Sequence, residues 1–159
     1  DLSKFCSNTS KVNATIANQL ALYLTMYSPL QMAADFPEHY EQFADAFQFI
    51  KDVAVDWQKS KYLLAEPGDY IVVARKAKKT GKWFAGGVTD ENSRTLDVPM
   101  NFLDPGKTYV AKIYSDASDA DYQKNPQAYV INEQEVTSES ILPIFMARGG
   151  GFAIEFSEK

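Results

Sequence analysis

The chain has 159 residues, of which 45% are hydrophobic and 13% aromatic, and it carries a net charge of −5 at pH 7. This length suits one domain, or a small domain joined to part of a neighbour. Lys and Arg are scattered along the sequence, which argues against a nucleic-acid partner because phosphate binding requires clustered positive charge. No apolar run approaches the roughly 18 residues of a membrane-spanning helix, so no membrane insertion is expected.

The N-terminus and the cysteine content add two expectations. The chain starts at Asp1 without Met or a signal-peptide pattern, so we expect it to have been cut from something longer or processed. Cys6 is the only cysteine, which excludes an internal disulfide. With only His39 available to activate it, Cys6 is predicted to have no chemical role. His39 itself lacks a second His or Cys at ligand spacing and is predicted to lie on the surface.

The N-terminal third of the sequence shows helical periodicity interrupted by one short apolar run. A helix is predicted from Asn13, with Ser10 or Asn13 as its N-cap, and Pro29 ends it. Residues 30–34 are nearly all apolar and predict a strand covered on both faces. A second helix begins near Pro37. The predicted apolar faces are Ile16, Leu20, Tyr23, Leu24 and Tyr27 in the first helix, and Tyr40, Phe43, Phe47 and Ile50 in the second.

A single buried strand between two helices has no partner for its backbone N–H and C=O groups. Helix, buried strand and helix are the repeating unit of an α/β fold. Residues 1–57 are therefore predicted to be the tail of a larger α/β domain whose other strands lie upstream of Asp1.

Residues 58–159 are predicted to form an antiparallel β-sandwich of about eight strands, which makes the whole chain α+β. The run at 70–74 is apolar on both faces and predicts a central strand. The turn at Thr80–Gly81 then makes residues 83–88 its antiparallel partner. The predicted strands are residues 62–66, 70–77, 83–89, 95–102, 109–115, 128–136, 141–147 and 152–157.

Two of these strands carry further signals about their surroundings. The last strand alternates, with Phe152, Ile154 and Phe156 pointing inward, so its other face is expected to be wet. Pro143 cannot donate to a ladder of hydrogen bonds. This places strand 141–147 at a sheet edge or a bulge.

Six strings of the sequence carry a family resemblance that covers nearly the whole chain. They are QLALYLTMYSPLQMAAD (19–35) followed by Pro37, Glu38 and Tyr40, then DAFQFIKD (45–52), AEPGDY (65–70), ARKA (74–77), TDEN (89–92) and NP (125–126). These strings resemble glycoside hydrolase family 97, which contains α-glucosidases and α-galactosidases of Bacteroidetes-type bacteria. The resemblance implies that residues 1–57 are the end of a catalytic (β/α)₈ barrel and that residues 58–159 are a C-terminal, non-catalytic β-sandwich.

The resemblance also implies a role for the intact enzyme. The intact enzyme would hydrolyse α-linked glucosides or galactosides, bind calcium, and be periplasmic or secreted. The family's catalytic and calcium-binding glutamates belong to earlier barrel strands and loops, and no position here matches them. The chain alone is therefore expected to be inactive and to bind no cofactor. Its expected role is to pack against the rest of the parent barrel and to form contacts within a homo-oligomer.

Two alternatives come from other functional classes. The first is an independent carbohydrate-binding module, which needs an exposed row of aromatic side chains on one sheet face. Trp83 is the main candidate for stacking on sugar rings, with Trp57, Tyr109 and Tyr122 beside it, although sandwich aromatics usually belong to the core. The second is a subunit-interface domain that buries the Pro143 strand or the loop 116–126 between protomers.

Acidic residues supply the remaining candidates. Asp35 falls at the C-terminal end of the predicted barrel strand, where barrel enzymes place their active sites, so it lies at the active-site rim or caps the Pro37 helix. Asp90 and Glu91 are adjacent, so they point in different directions and fit a solvated turn better than a pair of catalytic carboxyls.

Asp116, Asp119 and Asp121 lie close together, but they lack the spacing and the Gly of a calcium loop. This pattern favours turn formation and helix capping.

Overall fold

The computed structural model of the chain describes residues 12–32 and 37–159. Within these ranges, the helices are α1 (Ile16–Thr25), α2 (Pro37–Glu41) and α3 (Ala44–Asp52). They are followed by strands β1 (Trp57–Glu66), β2 (Tyr70–Ala77), β3 (Trp83–Thr89), β4 (Arg94–Pro99), β5 (Tyr109–Asp116), β6 (Tyr129–Val136), β7 (Ile141–Met146) and β8 (Gly151–Glu158). Among the described helices, none is long and apolar enough to cross a membrane. Cys6, Ser10 and Asp35 lie outside the described residues.

The described strands form two antiparallel sheets packed face to face, which confirms the predicted β-sandwich. The larger sheet has the order β1-β2-β3-β8-β5-β6, and β4 pairs with β7 in the smaller one. The predicted central hairpin is correct, since β2 pairs with β3 in the register Tyr70↔Thr89. Between the sheets lies a core that includes Val72, Trp83, Val98, Met100, Phe102, Met146, Phe152, Ile154 and Phe156.

Helices α1 and α3 cover the other face of the larger sheet. Leu24, Phe49, Phe84, Tyr114 and Ala153 belong to a second apolar cluster between helices and sheet. The N-terminal helices and the β-rich part therefore share one core. The central strands are buried on both faces, which is the reason for the uninterrupted apolar runs of β2 and β3.

This helical layer corrects the prediction for the last strand. Ala153 and Glu155 lie on the face of β8 that alternation predicts to be wet, but they are only 0% and 7% exposed. The helices cover that face, and alternation alone does not reveal a covering helix. The Glu155 carboxylate is paired with Lys82, whose Nζ lies 2.6 Å from Oε1.

Helix α1 differs from the prediction at both ends. Its N-cap is Thr15 instead of Asn13, and the Thr15 hydroxyl accepts a hydrogen bond from the Asn18 N–H at 3.2 Å. The helix ends at Thr25, before the position at which Pro29 would stop it. Arg75 of β2 donates from Nε to the Leu24 carbonyl at 2.7 Å, which satisfies one of the acceptors that a helix C-terminus leaves free.

The remaining N-terminal predictions are partly wrong. The second helix is interrupted at residues 42 and 43, and α3 turns Ala46 and Phe49 toward the sheet in place of Phe47. Residues 30–32 form no strand, and Leu30 and Met32 are 73% and 76% exposed. A strand needs a neighbour for its backbone groups, and none of the eight described strands pairs with this segment.

Two consecutive glycines of β3 allow the layers to approach closely. A Cβ at Gly86 would lie 2.9 Å from Leu24 Cδ1, and one at Gly87 would lie 2.6 Å from the Phe152 ring. Successive strand residues face opposite sides of a sheet. Gly86 therefore makes room for α1, and Gly87 makes room for Phe152 in the sandwich core.

We expect Gly87→Ala to lower the free energy of unfolding by about 1–3 kcal/mol, because the added methyl group forces a shift in a packed core. Urea denaturation of the chain measures this loss. The control is Thr95→Ala on the exposed side of β4, expected to change stability by no more than about 0.5 kcal/mol. Equal stability of the Gly87→Ala and Thr95→Ala variants would contradict the tight packing described for β3.

Candidate interaction surfaces

A buried aspartate at the end of β5 holds the turn that precedes β8. Asp116 is 4% exposed, and its Oδ2 accepts hydrogen bonds from the N–H groups of Ala147 at 2.9 Å and Gly151 at 2.8 Å. A Cβ at Gly150 would lie 1.9 Å from the same oxygen, so only glycine fits there. The carboxylate thus replaces backbone partners that the turn residues lack.

The turn 147–151 is also the point at which α1 begins. Thr15 donates its N–H to the Gly149 carbonyl at 3.2 Å, and the buried Asn18 side chain donates from Nδ2 to the Gly150 carbonyl at 2.9 Å. Thr89 at the end of β3 donates its N–H to the Gly150 carbonyl at 3.0 Å. The start of α1 and the ends of β3 and β5 are therefore tied to one turn.

The Asp116 carboxyl is in an environment that disfavours its charge. Burial raises the pKa of Asp116, and the Thr15 side chain and then the amides of Ala147 and Gly151 oppose this rise. Its second oxygen, Oδ1, is buried and accepts no hydrogen bond from the described residues. The group holds the turn and is shielded from any substrate, so its role is structural.

The other predicted acidic candidates also hold turns. Asp121 accepts from the N–H groups of Gln123 and Lys124 at 2.9 and 3.0 Å and pairs with Arg148 at 3.1 Å. Asp119 accepts from Asn125 at 3.0 Å. No group of three or more His, Cys, Asp or Glu side chains within 12–32 and 37–159 is placed to bind a metal ion. The described residues therefore do not fit the calcium that the resemblance implies for the intact enzyme.

Asp90 lies in a turn, as predicted, but it is less solvated than expected. Its side chain is 14% exposed, and Oδ1 accepts from the Asn92 N–H at 2.9 Å and from Arg94 Nη2 at 2.6 Å. The Asn92 amide, followed by Arg94, holds the pKa of Asp90 below its usual range. The neighbouring Glu91 is exposed. The two carboxyls do not form a catalytic pair.

Trp83 does not form a sugar platform. It is 2% exposed and lies between the sheets, with its ring centroid 5.1 Å from that of Phe102. Tyr109 is 4% exposed in the same core. The stacking prediction for Trp83 is therefore wrong, because its strand is covered on both faces. His39 is exposed, as predicted.

An apolar groove, here called the helical groove, runs between α1 and the pair α2–α3. It is open to solvent, has a volume of about 1380 Å³, and its apolar lining includes Ile16, Leu20, Tyr23, Met26, Tyr40, Phe43, Phe47 and Ile50. The surface continues onto exposed side chains, since Met26 is 67% exposed and Tyr27 is 51% exposed. Contiguous apolar surface of this kind marks an interaction site.

The sequence contained part of this signal. The residues predicted as the apolar faces of the two helices do lie together, but several of them line the groove, and α3 buries Ala46 and Phe49 instead. Helical periodicity shows which residues share a face. It does not show whether the neighbour that covers the face belongs to the same part of the chain.

The described structure defines a β-sandwich module with one helix-covered face and an adjoining apolar groove, a class of domain that acts through contacts. Comparison with known proteins identifies the family to which this module belongs. Residues 56–157 match the family model described as glycosyl-hydrolase 97 C-terminal, oligomerisation. The chain therefore belongs to the family of C-terminal oligomerisation domains of family 97 glycoside hydrolases and is a partial segment of such an enzyme.

Individual relatives agree with this assignment. The chain is 31% identical over 94% of its length to a retaining alpha-galactosidase of Bacteroides thetaiotaomicron, of which it covers 22%. It is 28% identical over 88% of its length to a probable retaining alpha-galactosidase of Streptomyces bingchenggensis, of which it covers 20%. The chain thus spans about a fifth of the length of these curated relatives.

Solved structures share the fold. A family 97 enzyme from Pseudoalteromonas sp. strain K8, in complex with acarbose, is 46% identical with a TM-score of 0.90, covering 92% of this chain and 23% of that one. A β-arabinopyranosidase is 19% identical with a TM-score of 0.73 over 89% of this chain and 21% of that one, which shows a shared fold only.

We expect Asp116→Ala to destabilise the chain by about 2 to 5 kcal/mol, because two buried N–H groups lose their acceptor. The matched control is Asp116→Asn, which keeps one side-chain oxygen as an acceptor and should lose less. Urea denaturation at pH 7 measures both. Equal losses in the two variants would contradict the role of the oxygen as acceptor.

The stability difference between the wild type and Asp116→Asn should depend on pH. A carboxyl whose pKa is raised by folding binds its proton more tightly in the folded state, so its contribution to stability is complete below the unfolded pKa, about 3.9, and declines as pH rises through the folded value. The stability of the wild type relative to Asp116→Asn should therefore fall between pH 4 and pH 7. Unfolding curves at four pH values test this, and a flat or rising difference would refute it.

Proposed function

We propose that the chain is the C-terminal part of an enzyme that hydrolyses α-glucosides or α-galactosides, and that it supports the assembly of that enzyme and takes no part in catalysis. Its family and the names of its relatives support this activity for the longer protein. In the proposed arrangement, residues 1–57 complete a (β/α)₈ barrel and residues 58–159 are the appended sandwich. Periplasmic or secreted localisation belongs to the same proposal.

The helical groove is the observation that carries this proposal. An apolar surface of that size is costly to leave in water, at about 25 cal/mol for each Å². Met32, which also lines the groove, is 76% exposed. The natural partner for this surface is the remainder of the parent barrel, whose helices and strands would supply neighbours for residues 30–32. In this arrangement Asp35 would lie at the barrel rim, one of the two roles that the sequence leaves open for it.

Catalysis is assigned to the rest of the enzyme. Asp90, Asp116 and Asp121 are engaged in turns or ion pairs, and the two carboxyls that glycoside hydrolysis requires are assigned to residues upstream. Calcium, if bound by the intact enzyme, takes ligands upstream of this chain. The burial of Trp83 counts against the alternative of an independent carbohydrate-binding module.

The purified 159-residue chain should not hydrolyse aryl α-glucosides or aryl α-galactosides above the buffer rate, because the proposal assigns the acid and the base to residues upstream. Release of nitrophenol over a day, with the natural full-length protein as positive control, measures this. Turnover by the separate chain that survives further purification would overturn the assignment of roles.

The helical groove predicts that one substitution has little effect in the separate chain and destabilises the full-length protein. Met26→Glu should leave the stability of the separate chain within about 0.5 kcal/mol, because the side chain is mostly exposed there. In the natural full-length protein it should lower the melting temperature by several degrees, since it buries a charge. The control is Lys79→Glu in the exposed turn between β2 and β3. Identical melting of the full-length Met26→Glu and Lys79→Glu proteins would exclude docking at the groove.

A further inference from the structure

The two sheets leave four edge strands in the described part of the chain, namely β1, β6, β4 and β7. An edge strand presents unpaired backbone groups to which another strand can bind. Natural proteins protect such edges with bulges, with Lys or with Pro.

Strand β1 is protected along its length. Its pairing with β2 is irregular at two places, between Trp57 and Lys59 and between Tyr62 and Leu64. Such irregularities bend the strand away from a regular edge. Lys59 and Lys61 add positive charge along it.

Strands β4 and β7 each carry a proline at the free edge. Met100 donates its N–H to the Ser140 carbonyl at 2.9 Å, one residue beyond the last pair, Pro99↔Ile141. Hydrogen-bonded and non-hydrogen-bonded pairs alternate in an antiparallel ladder, so Pro99 and Pro143 occupy non-hydrogen-bonded pairs. Their nitrogens point to the outer edges, where proline removes a donor.

Strand β6 has no bulge, Lys or Pro, and its charged side chains are Glu133 and Glu135. It pairs with β5 over eight consecutive residues without a shift in register, and its sequence, YVINEQEV, contains neither Lys nor Pro. Ala117 donates its N–H to the Ala128 carbonyl at 3.2 Å, and this fixes the alternation along the strand. The outward backbone groups are those of Tyr129, Ile131, Glu133 and Glu135.

The side chains of β6 leave this edge accessible. The Tyr129 hydroxyl donates to Asp45 at 2.5 Å, so that ring is held against α3 on the face of the sheet. Burial, and then the bond to Asp45, raises the pKa of Tyr129 to about 12, so the hydroxyl keeps its proton at neutral pH. The helical layer is therefore fixed on one face, beside the free backbone groups.

We propose that β6 is the oligomer interface: it pairs in antiparallel fashion with β6 of a second copy, so that the larger sheet continues across a two-fold axis. This proposal rests on the oligomerisation role of the family, and it assigns that role to the edge of β6. A second copy is the occupant because a two-fold interface needs a self-complementary patch, and an uninterrupted edge strand is one.

The strand's own sequence selects the register. Residues whose backbone groups point away from β5 must pair with residues of the same kind in the partner strand. This leaves few possible registers. Placing Asn132 opposite Asn132 of the partner pairs Tyr129 with Glu135 and Ile131 with Glu133, and uses all four outward residues. Moving the axis to Glu133 places this residue opposite itself, which opposes like charges and leaves Tyr129 unpaired, and moving it to Ile131 leaves Glu135 unpaired.

A cysteine cross-link tests this register in the natural full-length protein. At a non-hydrogen-bonded pair the two Cα atoms are about 4.5 Å apart, within the range of a disulfide. With diamide as the oxidant, Asn132→Cys should become a covalent dimer and Gln134→Cys, whose partner would be Val130, should not. Cross-linking of Gln134→Cys equal to or greater than that of Asn132→Cys would overturn the register.

Sedimentation tests the interface itself. Glu133→Pro removes an outward N–H and no bond to β5, so it should weaken self-association at least tenfold relative to Glu133→Ala, which keeps that N–H. A Pro variant that dimerises within twofold of the Ala variant would exclude β6 pairing while leaving oligomerisation intact. A wild-type protein that is monomeric at every concentration would overturn oligomerisation as well. If the Pro variant fails to fold, the cross-linking result decides.

Discussion

The hydrogen bonds that Asp116 accepts at the turn 147–151 hold the layers of this molecule together. Through that turn, the end of β5, the end of β3 and the start of α1 share one set of backbone partners. Asn18 completes it from the helix side. A buried carboxylate is an expensive way to satisfy two amides. It is retained here where glycines leave no space for another side chain and where three elements must meet.

The second end of α1 is held by a different device. Arg75 extends from β2 on the helix side of the sheet and binds the Leu24 carbonyl, while a second nitrogen donates to the Ser60 hydroxyl at 2.6 Å. Gly86 lets the helix approach between these two ends. A helix fixed at both termini and packed along its length acts as part of the sandwich. The apolar surface left over is therefore displaced to its outer side, where the helical groove opens.

The helical groove and the edge of β6 adjoin at Phe43 and Tyr129 but are chemically distinct. The helical groove is apolar and irregular, and such surfaces associate through buried area and shape. The edge of β6 is a row of backbone donors and acceptors beside acidic side chains, and such edges associate through directional hydrogen bonds. A module that carries both can join one partner through side chains and another through its backbone. This division fits a domain that belongs to an oligomerisation family.

The sequence determined the β-rich part closely, and β2 and β3 have the predicted bounds, because alternation and turn residues are local signals. It also placed Pro143 at an edge, since proline lacks a donor. It could not reveal that helices cover β8, that Trp83 is enclosed, or that Thr15 begins α1, because each depends on elements distant along the chain. Asp116 illustrates the limit. Its sequence context indicated a turn, but only the tertiary structure brought the amides of residues 147 and 151 to its carboxylate, because burial and long-range hydrogen bonds leave no periodic trace.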